Sequence, residues 1–185
     1  QLLNDIDVFI SGSDQIWNPY FGFNSDIEYL SFVKDKKKIA LSASFGVDDV
    51  GKENEKKKKK MLKEIDYISV REEKAKEIVE RITNKQVTLV CDPTFVLSKS
   101  DWIGIERRPK FVGNDKFLLC YLLEEYDSEL MDKIDRLAKK NNLRIYYMED
   151  EYKKLGKANI KEYSLGPAEF IWMIRNSELV VTDSF

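Results

Sequence analysis

The 185 residues are 43% apolar and 35% charged, enough for a real core in one large domain or parts of two smaller ones. A formal net charge of −2 supplies no overall basic field, which argues against nucleic acid as a partner. No apolar run approaches the roughly 20 residues that span a bilayer. Cys91 and Cys120 lack C-x-x-C spacing, so neither a disulfide scaffold nor a zinc site is indicated, and both are expected as buried thiols.

Strands and helices alternate along the chain. Ile6–Ile10 is a short apolar run ended by Ser11-Gly12-Ser13-Asp14, and Ile39–Ser44 is a second, ended by Phe45-Gly46. Lys52–Ile65 reads as a helix with Met61, Leu62 and Ile65 inward. Its lysine run, Lys56–Lys60, reads as a solvated face, with a polyanion or membrane patch as the alternative. Tyr67–Val70 is a strand ended by Arg71-Glu72. Ala75, Ile78, Val79 and Ile82 then fall at i, i+3, i+4 and i+7 of a helix that Asn84 stops. Val87–Cys91 is a strand ended by Asp92-Pro93-Thr94, since Pro93 cannot continue a central ladder. Ser100, Asp101 and Trp102 open a short helical piece.

The polar, aperiodic stretch Glu106–Lys116 marks a boundary. It gives a first lobe over 1–106, a linker over 107–116 and the start of a second lobe over 117–185. Phe117–Leu123 is continuously apolar, as a strand buried on both faces would be. A helix from Ser128 carries Leu130, Ile134, Leu137 and Ala138 on one stripe, and Leu143–Met148 is a strand. Glu149–Glu162 is a polar connection. Pro167 opens a last helix that is apolar over much of its surface and expected to be well buried, and Glu178–Val181 is the final strand. This order implies an α/β fold of Rossmann-like parallel sheets covered on both sides.

In open parallel sheets, ligands bind beyond the carboxyl ends of the strands. The residues there are Gly12-Ser13-Asp14-Gln15, Phe45-Gly46, Arg71-Glu72, Asp92-Pro93-Thr94 and Asp183-Ser184, all expected along one edge. Arg71 projects a planar fork suited to carboxylate or phosphate. A salt bridge to Glu72, Glu73 or Asp92 is its competing reading, and both stay open. Gly12-Ser13 can bring backbone N–H groups to an anion or sugar, yet the glycine pattern of a dinucleotide or P-loop site is missing. Asp14 and Asp92 also suit turns. Trp17, Tyr20, Phe21 and Phe23 read as core or lid packing ahead of a sugar-stacking surface.

Five ordered segments carry a resemblance: G-S-D-Q-I-W-N (Gly12–Asn18), A-x-S-F-G (Ala43–Gly46), I-S-V-R-E (Ile68–Glu72), D-P-T-F-V-L (Asp92–Leu97) and the closing stretch Pro167–Phe185. Together they resemble the bacterial-type polysaccharide pyruvyl transferase family over nearly the whole chain. The resemblance implies a fold similar to two-lobed GT-B glycosyltransferases with the cleft between the lobes. The implied reaction moves a pyruvyl group from phosphoenolpyruvate to a pair of sugar hydroxyls, forming a ketal in exopolysaccharide or cell-wall polymer synthesis. It implies phosphoenolpyruvate as donor substrate with no cofactor and no metal, and a sugar or lipid-linked saccharide as acceptor. The implied location is the cytoplasm, with room for peripheral association at the inner membrane face.

By the same resemblance Arg71 matches the arginine that holds the donor's anionic groups, with Asp183 as the second catalytic residue. Asp183 would orient a histidine or activate the sugar hydroxyl, and Ser13, Asp14, Gln15, Asp92, Thr94 and Ser184 complete the expected substrate-binding set. The family's histidine would be the residue following Phe185. A start at Gln1 without Met and a stop at Phe185 on a strand tip read as cuts through a longer protein, and without that histidine the chain is expected to be inactive as it stands. The alternatives are a GT-B glycosyltransferase using a nucleotide-sugar and a non-catalytic carbohydrate-binding relative.

Overall fold

The computed structural model describes residues 5–21, 25–123, 126–148 and 165–184. The expected connection at Glu149–Glu162 and the aromatic Phe23 lie outside the described residues. The chain forms two compact units, Gln1–Leu97 and Ser98–Phe185. The division precedes the expected 107–116 linker. Short interactions within the second unit explain this. The helix α3 (Lys99–Ile105) is followed by Glu106, which pairs with Arg175, and by Arg107, whose N–H donates to Ala168 C=O at 3.0 Å and whose side chain binds Glu169 at 2.6 Å.

The first unit is a parallel sheet in the order β1 (Val8–Gly12), β2 (Lys37–Ala43), β3 (Tyr67–Val70), β4 (Thr88–Leu89). Helix α1 (Lys52–Lys63) joins β2 to β3, and α2 (Glu73–Thr83) joins β3 to β4. Ala75, Ile78, Val79 and Ile82 of α2 are all buried, and Asn84 closes the helix in the left-handed region (φ 59°) as its short amide side chain permits.

A sheet whose strands follow in sequence order places all its right-handed crossovers on one face. The core accordingly gathers Trp17, Ala40, Leu62, Ile65, Val70 and Ile78 on that face. The other face carries Ile10 and Tyr67, 60% and 62% exposed, beside exposed Val8 and Leu41. Among the described residues no helix covers that face, because sequential strand order, invisible in an apolar run, puts the crossovers on the other.

The second unit is a parallel sheet in the order β6 (Arg144–Met148), β5 (Phe117–Tyr121), β7 (Leu179–Thr182). Here the chain leaves β5 one way and returns past it, so α4 (Ser128–Lys140) and α5 (Pro167–Asn176) cover opposite faces of β5. Leu118 and Cys120 pack with Ile134 and Ala138 of α4, while Phe117 and Leu119 pack with Met173 of α5. The central strand is thus buried on both sides, as its uninterrupted apolar run requires. Two expectations are corrected: α5 buries fully only Met173 among its described residues and exposes Ile174, and Leu137 lies exposed on α4. Among the described residues no helix is long and apolar enough to cross a membrane.

Candidate functional site

The polar ends of the first sheet's strands meet at Arg71. β1 ends in three consecutive residues of positive φ: Gly12 (156°), Ser13 (60°) and Asp14 (39°). Such backbone costs on the order of 1–3 kcal/mol for each non-glycine residue. The turn is secured by Ser13 N–H donating to Leu41 C=O at 2.8 Å. It directs the Ser13 hydroxyl across the sheet end, where Oγ donates to Asp92 Oδ2 at 2.7 Å. β2 leaves regular pairing through a bulge between Ala40 and Ala43, with Ser42 at φ 52°. The Ser42 hydroxyl donates to Cys91 C=O at 2.9 Å, and Ser69 Oγ accepts from Ser42 N–H at 3.0 Å, so the strand ends are laced by serines.

Arg71, directly after β3, is 23% exposed at its side chain. Its Nη1 donates to Asp92 Oδ2 at 2.9 Å and its Nε to Glu72 Oε1 at 3.3 Å, while Nη2 lies 3.7 Å from Asp14 Oδ1. Burial opposes its charge, but the hydrogen bonds to Asp92 and Glu72 prevail and raise its pKa further. Asp92 accepts on both oxygens: Ser13 and Arg71 on one, the Thr94 N–H (3.0 Å) and hydroxyl (2.9 Å) on the other. The Ser13 bond foremost, then Thr94 and Arg71, hold its carboxyl far below the usual carboxylate range against its burial. Asp92 also caps the 3-10 turn Pro93–Val96, so it is turn former and junction at once.

Of the expected site residues, Ser13, Asp14, Arg71, Asp92 and Thr94 meet directly. Gln15 stands beside them. Its Oε1 accepts from Asn18 Nδ2 at 2.6 Å, and its side chain lies where a Cβ on Gly46 would be, 2.2 Å from Oε1. The ion-pair reading of Arg71 is realised with Glu72 and Asp92, with Asp14 as a further partner. One guanidinium faces three carboxylates, and among the described residues its Nη2 edge carries no hydrogen bond. Asp14 on that edge is 93% exposed at its side chain, free of the constraints that fix the other two. In the second unit, Asp183 and Ser184 follow β7; Asp183 Oδ1 accepts from Leu123 N–H at 2.7 Å, joining the ends of β7 and β5.

The family model for polysaccharide pyruvyl transferase matches residues 2–185. The chain belongs to that family. No significant match is found among curated proteins or among solved structures. All five motif segments lie inside the matched range, and four of them supply the strand ends that meet around Arg71 of this pyruvyl transferase family member.

Two side chains depart from expectation. Cys91 is exposed, because β4 pairs only through Leu89 and Cys91 lies past the ladder; Cys120 is buried. Lys58, within the lysine run, is 2% exposed. Its Nζ donates to Trp17 C=O at 3.2 Å and Tyr29 Oη at 2.6 Å and stands over the rings of Tyr29 and Phe45. From α1 it thus pins the connection that follows the Ser13 turn. The signal was present in the sequence: Lys58, Met61, Leu62 and Ile65 fall at i, i+3, i+4 and i+7.

Burial, then repulsion from Lys57, lowers the Lys58 pKa to about 8. Between pH 8 and 10 the unfolded chain holds this proton and the folded chain releases it, so stability rises with pH by about 2 kcal/mol. Above pH 10 Tyr29 reverses the trend, because burial raises its pKa and only the unfolded tyrosine ionises. Urea midpoints across pH 8–10 should rise less in Lys58→Met than in the parent chain. An equal rise in both would place the effect elsewhere.

Proposed function

We propose that this family member acts in pyruvyl transfer, with Arg71 as the group that grips the anionic end of phosphoenolpyruvate. The observation that carries the reading is the meeting of three strand ends, through Asp14, Glu72 and Asp92, at one guanidinium whose Nη2 edge, without a hydrogen bond among the described residues, faces a solvent-exposed carboxylate. An incoming carboxylate or phosphate takes that edge and turns Asp14 aside. Ser13, Asp92 and Thr94 hold the guanidinium's setting, and Gln15 packs the adjoining loop.

The chemistry needs a proton delivered to the methylene carbon of phosphoenolpyruvate, leaving positive charge on the neighbouring carbon. A sugar hydroxyl bonds to that carbon and loses its proton. The bond to the phosphate oxygen then breaks and phosphate leaves with the electron pair, after which a second hydroxyl of the sugar bonds to the same carbon and gives up its proton to the released phosphate, closing the ketal. A fixed cation near the leaving phosphate lowers the barrier by electrostatic placement without reorganising during the step. On the family resemblance we assign Asp183 to taking the proton of the sugar hydroxyl. Ser184 contributes polar contact beside it, with a saccharide or lipid-linked saccharide as acceptor.

Calorimetric titration of the chain with phosphoenolpyruvate and, separately, with a uridine-diphosphate sugar tests the reading. Phosphoenolpyruvate binds and the nucleotide-sugar does not. Binding of the nucleotide-sugar alone would transfer the chain to glycosyl chemistry, and binding of neither would leave a carbohydrate-binding role.

A further inference from the structure

Glu72 stands where local rules favour a shorter side chain. It is the N-cap of α2, with extended backbone (φ −123°, ψ 144°), a position at which Ser, Thr, Asp and Asn fold an oxygen back onto first-turn N–H groups. Glu72 makes no such bond. Its carboxylate turns the other way, where Oε1 accepts from Arg71 Nε at 3.3 Å and from the Ser44 hydroxyl. Ser44 is itself fixed. It is wholly buried, its Oγ accepts from Gly46 N–H at 3.0 Å, and its carbonyl accepts from Trp17 N–H at 3.0 Å. A local rule broken without local gain points to a gain elsewhere, and here the beneficiary is Arg71. Gripped at Nε by Glu72 and at Nη1 by Asp92, the guanidinium plane is fixed so that its Nη2 edge faces outward.

We propose that Glu72 is a positioning residue. It leaves α2 uncapped in order to anchor Arg71 to Ser44 at the end of β2, presetting the guanidinium for an anion. This rests on the reading of Arg71 as an anion holder given above. Long flexible side chains lose affinity in proportion to the time they spend out of the binding rotamer, and Glu72 removes that loss.

Two variants separate positioning from structural support. Glu72→Asp keeps the charge and supplies a favoured cap, but it is one methylene shorter and cannot reach Arg71 and Ser44 together. Glu72→Gln keeps the reach and an acceptor oxygen. The readouts on the full chain are the Arg71 Nε–H nuclear magnetic resonance signal, the thermal midpoint and calorimetric affinity for inorganic phosphate. The parent and Glu72→Gln retain a protected Nε–H. Glu72→Asp loses that protection at an unchanged or higher thermal midpoint, and its phosphate affinity falls about fivefold, as a competent fraction reduced to a fifth requires. Glu72→Asp with a protected Nε–H and parental affinity overturns the proposal. If the parent binds no phosphate, the anion reading of Arg71 fails, while the Nε–H comparison still decides whether Glu72 holds the arginine.

Discussion

Gly12→Ala should unfold the first unit at a far lower temperature than the parent chain. A Cβ at position 12 would lie 1.9 Å from Leu41 C=O and 2.8 Å from Leu41 N, atoms of the residue that Gly12 pairs with across β1 and β2. No rotamer relieves this, because the obstacle is backbone, and φ 156° is itself a region that side chains rarely adopt. Relief requires β1 to draw away from β2, which breaks the bond from Ser13 N–H to Leu41 C=O and withdraws Ser13 from Asp92. Overpacking against backbone together with the strained dihedral costs about 3 kcal/mol or more, a drop of roughly 12–20 °C for a unit of this size. Calorimetric melting reads it directly. A midpoint within about 3 °C of the parent's would mean that the turn relaxes freely and that its geometry is no constraint on the site.

Asp92→Ala comes next in size, and it carries a pH signature. The substitution strands the Ser13 hydroxyl, the Thr94 N–H and hydroxyl and one face of the Arg71 guanidinium. Losing a partly buried charged junction of this kind costs about 2–4 kcal/mol at neutral pH. The Asp92 carboxyl titrates far below its unfolded value, so its contribution is complete above the unfolded pKa of about 4 and is lost as pH falls further. Urea denaturation at pH 7 and pH 3 should therefore show a large deficit in the variant at the higher pH and a smaller one at the lower. An equal deficit at both would assign the loss to packing and leave the charged junction without weight.

How much of this could be read from sequence depends on which physical term decided each feature. The strand ends were legible, because apolar runs that stop at Ser13, Arg71 and Asp92 mark where a sheet meets solvent, and parallel pairing brings such ends together whatever their order. The partners of Arg71 were half legible: Glu72 is its neighbour and Asp92 follows the next strand, but Asp14 arrives through a turn whose φ values the letters do not state. Lys58 was hidden by the four lysines around it, although its spacing from Met61 and Leu62 assigned it inward; composition outweighed periodicity. The exposure of Val8 and Ile10 among the described residues was illegible, since apolar residues look the same whether a helix covers them or not. The division at Leu97/Ser98 leaves no local mark in the letters, because the ion pairs from Glu106 and Arg107 to Arg175 and Glu169 within the second unit span a long stretch of sequence.

A crystal structure of the chain grown with phosphoenolpyruvate bears most directly on the site. The expected result is the donor's carboxylate or phosphate on Arg71 Nη2, with Asp14 swung away and the bonds to Glu72 and Asp92 intact. A donor bound elsewhere, with Arg71 still facing its three carboxylates, would contradict the assignment of the donor's grip to Arg71.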